Sequence, residues 1–175
     1  LAIAGSSTSY GGFVAKFSSG GSTVWNKTWG NTTVGGDVSS MKTTSDNGYI
    51  ITGTTNDFGG GNDAYIAKLA TDGSLTWSKT WGGAGSDSGI SVAAAGDGGY
   101  VIGGNTASFG TGGDTFIAKF SGAGALSWDR VWGGASSDSL FGIAVDSDQN
   151  VLIQGQGYSF GRGGDKGAFV AKFDS

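Results

Sequence analysis

Phe13-Val14-Ala15-Lys16-Phe17 returns as Tyr65-Ile66-Ala67-Lys68-Leu69, as Phe116-Ile117-Ala118-Lys119-Phe120 and as Phe169-Val170-Ala171-Lys172-Phe173. The lysines recur every 51 to 53 residues (68−16, 119−68 and 172−119). A second element follows the first three copies: Trp25-Asn26-Lys27-Thr28-Trp29-Gly30, Trp77-Ser78-Lys79-Thr80-Trp81-Gly82 and Trp128-Asp129-Arg130-Val131-Trp132-Gly133. A third reads Gly48-Tyr49-Ile50-Ile51-Thr52-Gly53, Gly99-Tyr100-Val101-Ile102-Gly103-Gly104 and Asn150-Val151-Leu152-Ile153-Gln154-Gly155. Softer apolar stretches, Ile90–Ala94 and Phe141–Val145, lie between the second and third elements. Self-similarity at a fixed period marks a repeat architecture.

Each element is short, rich in β-branched and aromatic residues, and bounded by Gly, Asp, Asn and Ser, which describes a strand. The turns between them, Ser45-Asp46-Asn47-Gly48, Gly96-Asp97-Gly98-Gly99 and Asp146-Ser147-Asp148-Gln149-Asn150, carry residues that tolerate positive φ. Four strands, a to d, per unit of about fifty residues predict an all-β chain of four-stranded antiparallel propeller blades. The single propeller or propeller segment spans 1–175, with repeats at 1–30 (partial), 31–82, 83–133 and 134–175 (partial). The competing architecture is a β-trefoil, which would close as a threefold monomer. The register runs b-c-d, a-b-c-d, a-b-c-d, a-b-c, so an incomplete ring is expected: residues beyond this chain, a larger propeller, or further copies would complete it. The start at Leu1 rather than Met is read as processing or as a fragment of something longer.

The composition agrees. Of 175 residues 37 are Gly, none is Pro, Cys or His, and all 14 acidic residues are Asp. Asp is a poor helix former where Glu is a good one. A net charge of −4, with ten basic residues spread along the chain, argues against nucleic acid, whose phosphates are bound by clustered Lys and Arg. No apolar run approaches a membrane span.

The order Val145-Asp146-Ser147-Asp148, then Phe160-Gly161-Arg162-Gly163-Gly164-Asp165, then Phe169-Val170-Ala171-Lys172-Phe173, together with Trp-x-Lys-Thr-Trp-Gly, resembles the SBBP-type bacterial β-propeller repeat. The resemblance covers nearly the whole chain. It implies blades of a large secreted or surface protein and assigns no activity. Thr71-Asp72-Gly73-Ser74-Leu75-Thr76-Trp77 is also similar to the Asp-box turn of other propellers.

Without His, Cys or Glu, Ser-His-Asp triads, Cys nucleophiles and His-ligated metal sites cannot be built. An Asp pair could still hydrolyse glycosides, but such sites break repeat symmetry, whereas here the aspartates recur. A non-enzyme is expected. Asp37, Asp87 and Asp138 precede strand a; Asp63, Asp114 and Asp165 precede strand c. In a propeller these loops share one face. Asp37, Asp87 and Asp138 are therefore candidate Ca²⁺ ligands, or turn caps accepting backbone N–H groups, the commoner use of Asp. Phe58, Phe109 and Phe160, with Tyr10, sit at equivalent places in the b–c loops. Beside Asp63, Asp114 and Asp165, and with Asp87 and Asp138, they are candidate ligand-binding residues, ring to sugar face and carboxylate to hydroxyl. The plainer reading, an aromatic plug between blades, is preferred. The tryptophans, at i and i+4, are expected to cover the seams between blades, and the strand-c lysines to snorkel or pair with an Asp. Asp146 and Asp148 start like a Ca²⁺ loop without its remaining ligands. Asn26-Lys27-Thr28 and Asn31-Thr32-Thr33 match glycosylation sequons.

The expected function is a non-catalytic extracellular or cell-surface repeat module in a structural, adhesive or self-assembly role. It needs no cofactor, or Ca²⁺, and its partners would be glycans or other copies of itself. The alternative is a lectin-like or Ca²⁺-binding module with one equivalent site per blade.

Overall fold

A computed structural model describes residues 1–7, 11–29, 36–56 and 61–174. Among these there is no helix. Fourteen strands form four separate antiparallel sheets in chain order, propeller-like blades set in tandem and not closed into a ring. The first blade comprises β1 (Ala2–Ser7), β2 (Gly11–Phe17) and β3 (Thr23–Trp29). The second is β4 (Asp37–Thr43), β5 (Tyr49–Thr55), β6 (Asp63–Leu69) and β7 (Leu75–Trp81). The third is β8 (Asp87–Ala94), β9 (Tyr100–Thr106), β10 (Asp114–Phe120) and β11 (Leu126–Trp132). The fourth is β12 (Asp138–Val145), β13 (Val151–Gly157) and β14 (Gly167–Phe173). Each sheet is a simple up-and-down meander. Four small sheets, each paired only within itself, replace the trefoil alternative.

Period-two alternation explains why the central strands are buried on both sides. In β6, Ala64 and Ile66 enter the seam toward the third blade, whereas Tyr65, Ala67 and Leu69 enter the seam toward the first. In β10, Phe116, Ala118 and Phe120 face the second blade, and Ile117 faces the fourth. The core is therefore three separate seams. The first joins Val14 to Val38, Tyr49, Ile51 and Tyr65; the middle one joins Ile50 and Ile66 to Val92, Ile102 and Phe116; the third joins Val101 and Ile117 to Leu140, Val151 and Ile153.

Every strand a carries a bulge at the same place, between Val38 and Ser40, Gly89 and Ser91, Leu140 and Gly142. The bulge presses its backbone against strand b. A Cβ on Gly53, Gly104 or Gly155 would lie 1.6, 1.8 or 2.1 Å from the carbonyl oxygens of Asp37, Ser88 and Ser139, so only glycine fits there. The a–b turns put Asn47, Gly98 and Gln149 at positive φ, which Asn and Gly accept readily and Gln does not.

The strand-c lysines close those turns. Lys68, Lys119 and Lys172 pair with Asp46, Asp97 and Asp146 at 2.8, 2.7 and 2.8 Å. The hydrogen bond from each lysine lowers the pKa of all three aspartates, that of Asp146 to about 2. Asp146 also accepts from the backbone N–H groups of Asp148 and Asn150. Its carboxylate thus serves the turn, and the Ca²⁺-loop resemblance has this simpler account.

Candidate functional site

The recurring tryptophans and phenylalanines meet across the seams. Trp25 Nε1 donates to Thr71 O, and Trp77 Nε1 to Gly122 O, both at 3.1 Å; each bond runs from strand d of one blade to the c–d turn of the next. Tyr49 and Tyr100 pack on these two rings with centroids 5.7 and 6.1 Å away. At the other end of strand d, Trp81 stacks on Phe116 at 3.9 Å and touches Phe109 at 5.3 Å. Trp132 stacks on Phe160 at 4.5 Å and touches Phe169 at 4.6 Å. Phe109 and Phe160 are thus lids that one blade lays over the preceding blade's tryptophan, each keeping about two-fifths of its surface exposed (43% and 40%). Phe58 and Tyr10 lie outside the described residues, as does Asn31.

The aspartates divide into two groups. Asp63 and Asp87 come together across the middle seam, and Asp114 and Asp138 across the third; all four are between 1% and 6% exposed. Both pairings are latched by backbone. Asp87 N donates to Asn62 O at 2.6 Å, and Asp138 N to Gly113 O at 2.8 Å. The glycine of each Trp-Gly-Gly sequence lies between the two carboxylates. A Cβ on Gly82 would stand 2.2 Å from Asp63 Oδ1 and 2.6 Å from Asp87 Oδ2. On Gly133 it would stand 2.1 Å from Asp114 Oδ1 and 2.8 Å from Asp138 Oδ2. Both members of a pair therefore border one space too small for a methyl group.

Donors reach only part of these groups. Asp87 Oδ2 accepts from Gly83 N at 2.9 Å and Ser108 Oγ at 2.5 Å. Asp138 accepts from Gly134 N at 2.9 Å and Ser159 N at 3.3 Å, and Asp114 Oδ2 from Thr111 N at 2.9 Å. Asp87 Oδ1 and Asp114 Oδ1 are buried without a partner. Burial first, and the facing carboxylate second, raise the pKa of Asp63; in Asp114 the same two causes outweigh the opposing hydrogen bond from Thr111.

Asp37 and Asp165 do not join these pairs. By strand pairing, Asp37 opposes Thr54 as Ser88 opposes Asn105, so the residue equivalent to Asp87 is Gly36. One step along a strand turns a side chain to the other face, and Asp37 is exposed. Asp165 lies two residues ahead of Gly167, and Gly167 pairs with Gly157 as Asp114 pairs with Thr106. Asp165 is likewise exposed. In the first blade, Gly11 occupies the place of Asp63. Recurrence in sequence suggests three equivalent aspartates in each set; pairing places two of each at the seams. Two features escape reading from sequence alone: the facing of a strand-c Asp toward the next blade's strand-a Asp, and the glycine between them.

On the side of the fourth blade that faces away from the third, Val170 and Phe141 are 76% and 57% exposed. They border a groove with Gln154, Gln156, Lys166 and Ala168. At the other end Leu1 and Ile3 are 84% and 42% exposed.

The sequence matches no family model and no curated protein. Solved structures do match. Among them is a protein of unknown function from Bacteroides caccae, with a TM-score of 0.54 and 9% sequence identity. The match covers 93% of this chain and 54% of that one, so the chain spans about half the length of the structure it resembles. At this identity the likeness is one of fold.

Proposed function

We propose that this chain is a run of SBBP-type propeller blades with a non-catalytic, structural and self-assembling role at or outside the cell surface. The observation that carries the reading is the use of the recurring residues. Trp25, Trp77, Trp81 and Trp132, Phe109 and Phe160, and the four buried aspartates all contact a neighbouring blade, and the lysines hold turns. Residues spent on joining one blade to another favour a scaffold over a substrate cleft. The absence of His, Cys and Glu from the sequence points the same way.

The open face of the fourth blade continues this logic. Val170 stands where Ile117 stands in the third blade, and Ile117 is fully buried against the blade that follows. Burying an aliphatic side chain of this size is worth about 1.5–3 kcal/mol. A further blade, supplied by another copy of the chain through its exposed Leu1 and Ile3, fits this face. Sedimentation velocity over a range of concentrations tests the reading. Association that rises with concentration and is lost in Val170→Asp supports it. A wild-type chain that stays monomeric throughout removes the self-assembling part.

The sugar-binding alternative has the exposed rims of Phe109 and Phe160 in its favour. Four of its five carboxylates, however, Asp63, Asp87, Asp114 and Asp138, are buried, and a saccharide hydroxyl needs them open; the fifth, Asp165, is exposed but away from these pairs. Silence on a glycan array is the expected result.

A further inference from the structure

We propose that the middle and third seams each bind one Ca²⁺ ion, held between Asp63 and Asp87 in one and between Asp114 and Asp138 in the other, as a clip joining adjacent blades. Among the described residues there is no group of three or more acidic or other ligating side chains, so these are two-carboxylate sites. Three independent observations point to a ligand.

The first is geometry. Each pair brings a carboxylate from strand c and a carboxylate from the next blade's strand a to the borders of one small space over a glycine. The second is the unmet valence. Asp87 Oδ1 and Asp114 Oδ1 are buried and unpartnered in residues that are 1% and 3% exposed. Asp114 Oδ1 borders the space itself, whereas in the middle seam Asp87 Oδ2 borders it and the unpartnered atom is the other oxygen of that carboxylate. Leaving a buried acceptor unpaired is costly, and buried charges are as a rule paired or bound to a metal. Among the described residues no Lys or Arg forms an ion pair with any of the four aspartates. The third is repetition. The same arrangement, glycine included, is built twice, 51 residues apart (114−63 and 138−87).

The chemistry selects the ion. The side chains offered are all oxygen donors, with no His or Cys anywhere in the sequence. Ca²⁺ takes six to eight oxygens in a flexible geometry, and carboxylates that bind through one or both oxygens suit it, with backbone carbonyls and water completing the shell. Two negative charges in a dry setting repel one another, and a divalent cation removes that repulsion. The rival occupant is a single proton shared by each pair.

The test uses the whole chain and Tb³⁺, which emits when a nearby tryptophan transfers excitation to it. Trp81 and Trp132 directly precede the two glycines. The expected result is Tb³⁺ emission saturating at two ions per chain, displaced by Ca²⁺, with a Ca²⁺-dependent rise in Tm that EGTA reverses. Asp87→Asn should lower the stoichiometry from two to one, and Asp87→Asn with Asp114→Asn should abolish binding, while Asp37→Asn leaves it at two. The single variant keeps one pair intact and holds the test open if the double variant does not fold. No Tb³⁺ emission, emission that Asp87→Asn leaves unchanged, or a Tm raised by Asp87→Asn but indifferent to Ca²⁺ would each overturn the proposal. The last of these outcomes assigns the shared proton instead.

Discussion

The middle seam and the first seam are built from corresponding strands, the same bulge and the same tryptophan bond, yet among the described residues they differ where strand c meets the next blade's strand a. Where the middle seam sets Asp63 against Asp87, the first sets Gly11 against Gly36. Gly36 has φ near 129°, and a Cβ there would lie 1.6 Å from Thr54 O, so no aspartate can replace it without moving the backbone. The difference teaches that apolar contacts and the Trp–turn bond are sufficient to join two blades. The carboxylate pair is an addition to two of the three seams, and an addition with a desolvation cost invites a purpose of its own.

The largest effect is expected from the apolar contacts. Ile66→Ala removes three carbons from a fully buried position of the middle seam and should cost about 2–5 kcal/mol in urea denaturation. Val14→Ala in the first seam deletes one carbon fewer and should cost less. An equal or greater loss at Val14 would mean that the carboxylate pair contributes more to the middle seam than its apolar contacts.

Gly82→Ala tests the space between the carboxylates. The added methyl meets Asp63 and Asp87 and should destabilise by about 1–3 kcal/mol. It should also remove one Tb³⁺ site while leaving the other. Unchanged stability would show that the pair opens freely.

The tryptophan bonds should be alike in the two seams. Trp25→Phe and Trp77→Phe each delete one hydrogen bond to the next blade's turn, worth about 1 kcal/mol. Unequal losses by calorimetry would break the equivalence of the seams.

The smallest effects come with pH. Asp46, Asp97 and Asp146 have folded pKa values below the ordinary 3.8, so the folded state binds fewer protons than the unfolded chain there. Their contribution is complete above about 3.8 and is lost as the pH falls, toward about 2 for Asp146. Asp63 and Asp114, with raised values, act in the opposite sense and lose stability as the pH rises through their folded pKa. Lys172→Met should flatten the acid limb of a Tm-against-pH curve, and the Asp63→Asn, Asp114→Asn double variant should remove the decline above it.

Much of the fold was legible because its causes are local. The Phe-Val-Ala-Lys-Phe strands, the Trp-x-x-x-Trp strands, the turn residues and the glycines within strand b all recur in sequence, and each forms the same element in every blade where it is described. The site was legible only in part. Asp114 stands two residues before Phe116, but Asp165 stands four before Phe169, and this two-residue insertion carries it out of place though its motif looks intact. Asp37 fails by a single residue. Spacing reads composition along the chain, whereas a pleated strand sorts side chains by parity. Contacts between blades were hidden for another reason: residues about fifty apart become neighbours only once the sheets stack.

The direction of the tryptophan bonds has a consequence for symmetry. Among the described residues, Trp25 and Trp77 of strand d donate forward to the turn of the blade that follows, and Trp81 donates forward to Asp129 on the next strand d. A seam therefore joins two unlike surfaces, which makes it a heterologous interface. Copies that associate through such a surface meet head to tail rather than patch to identical patch, and even a ring of two copies would be closed by two such unlike contacts. They add head to tail until the turn per blade closes a ring, or they continue as a filament.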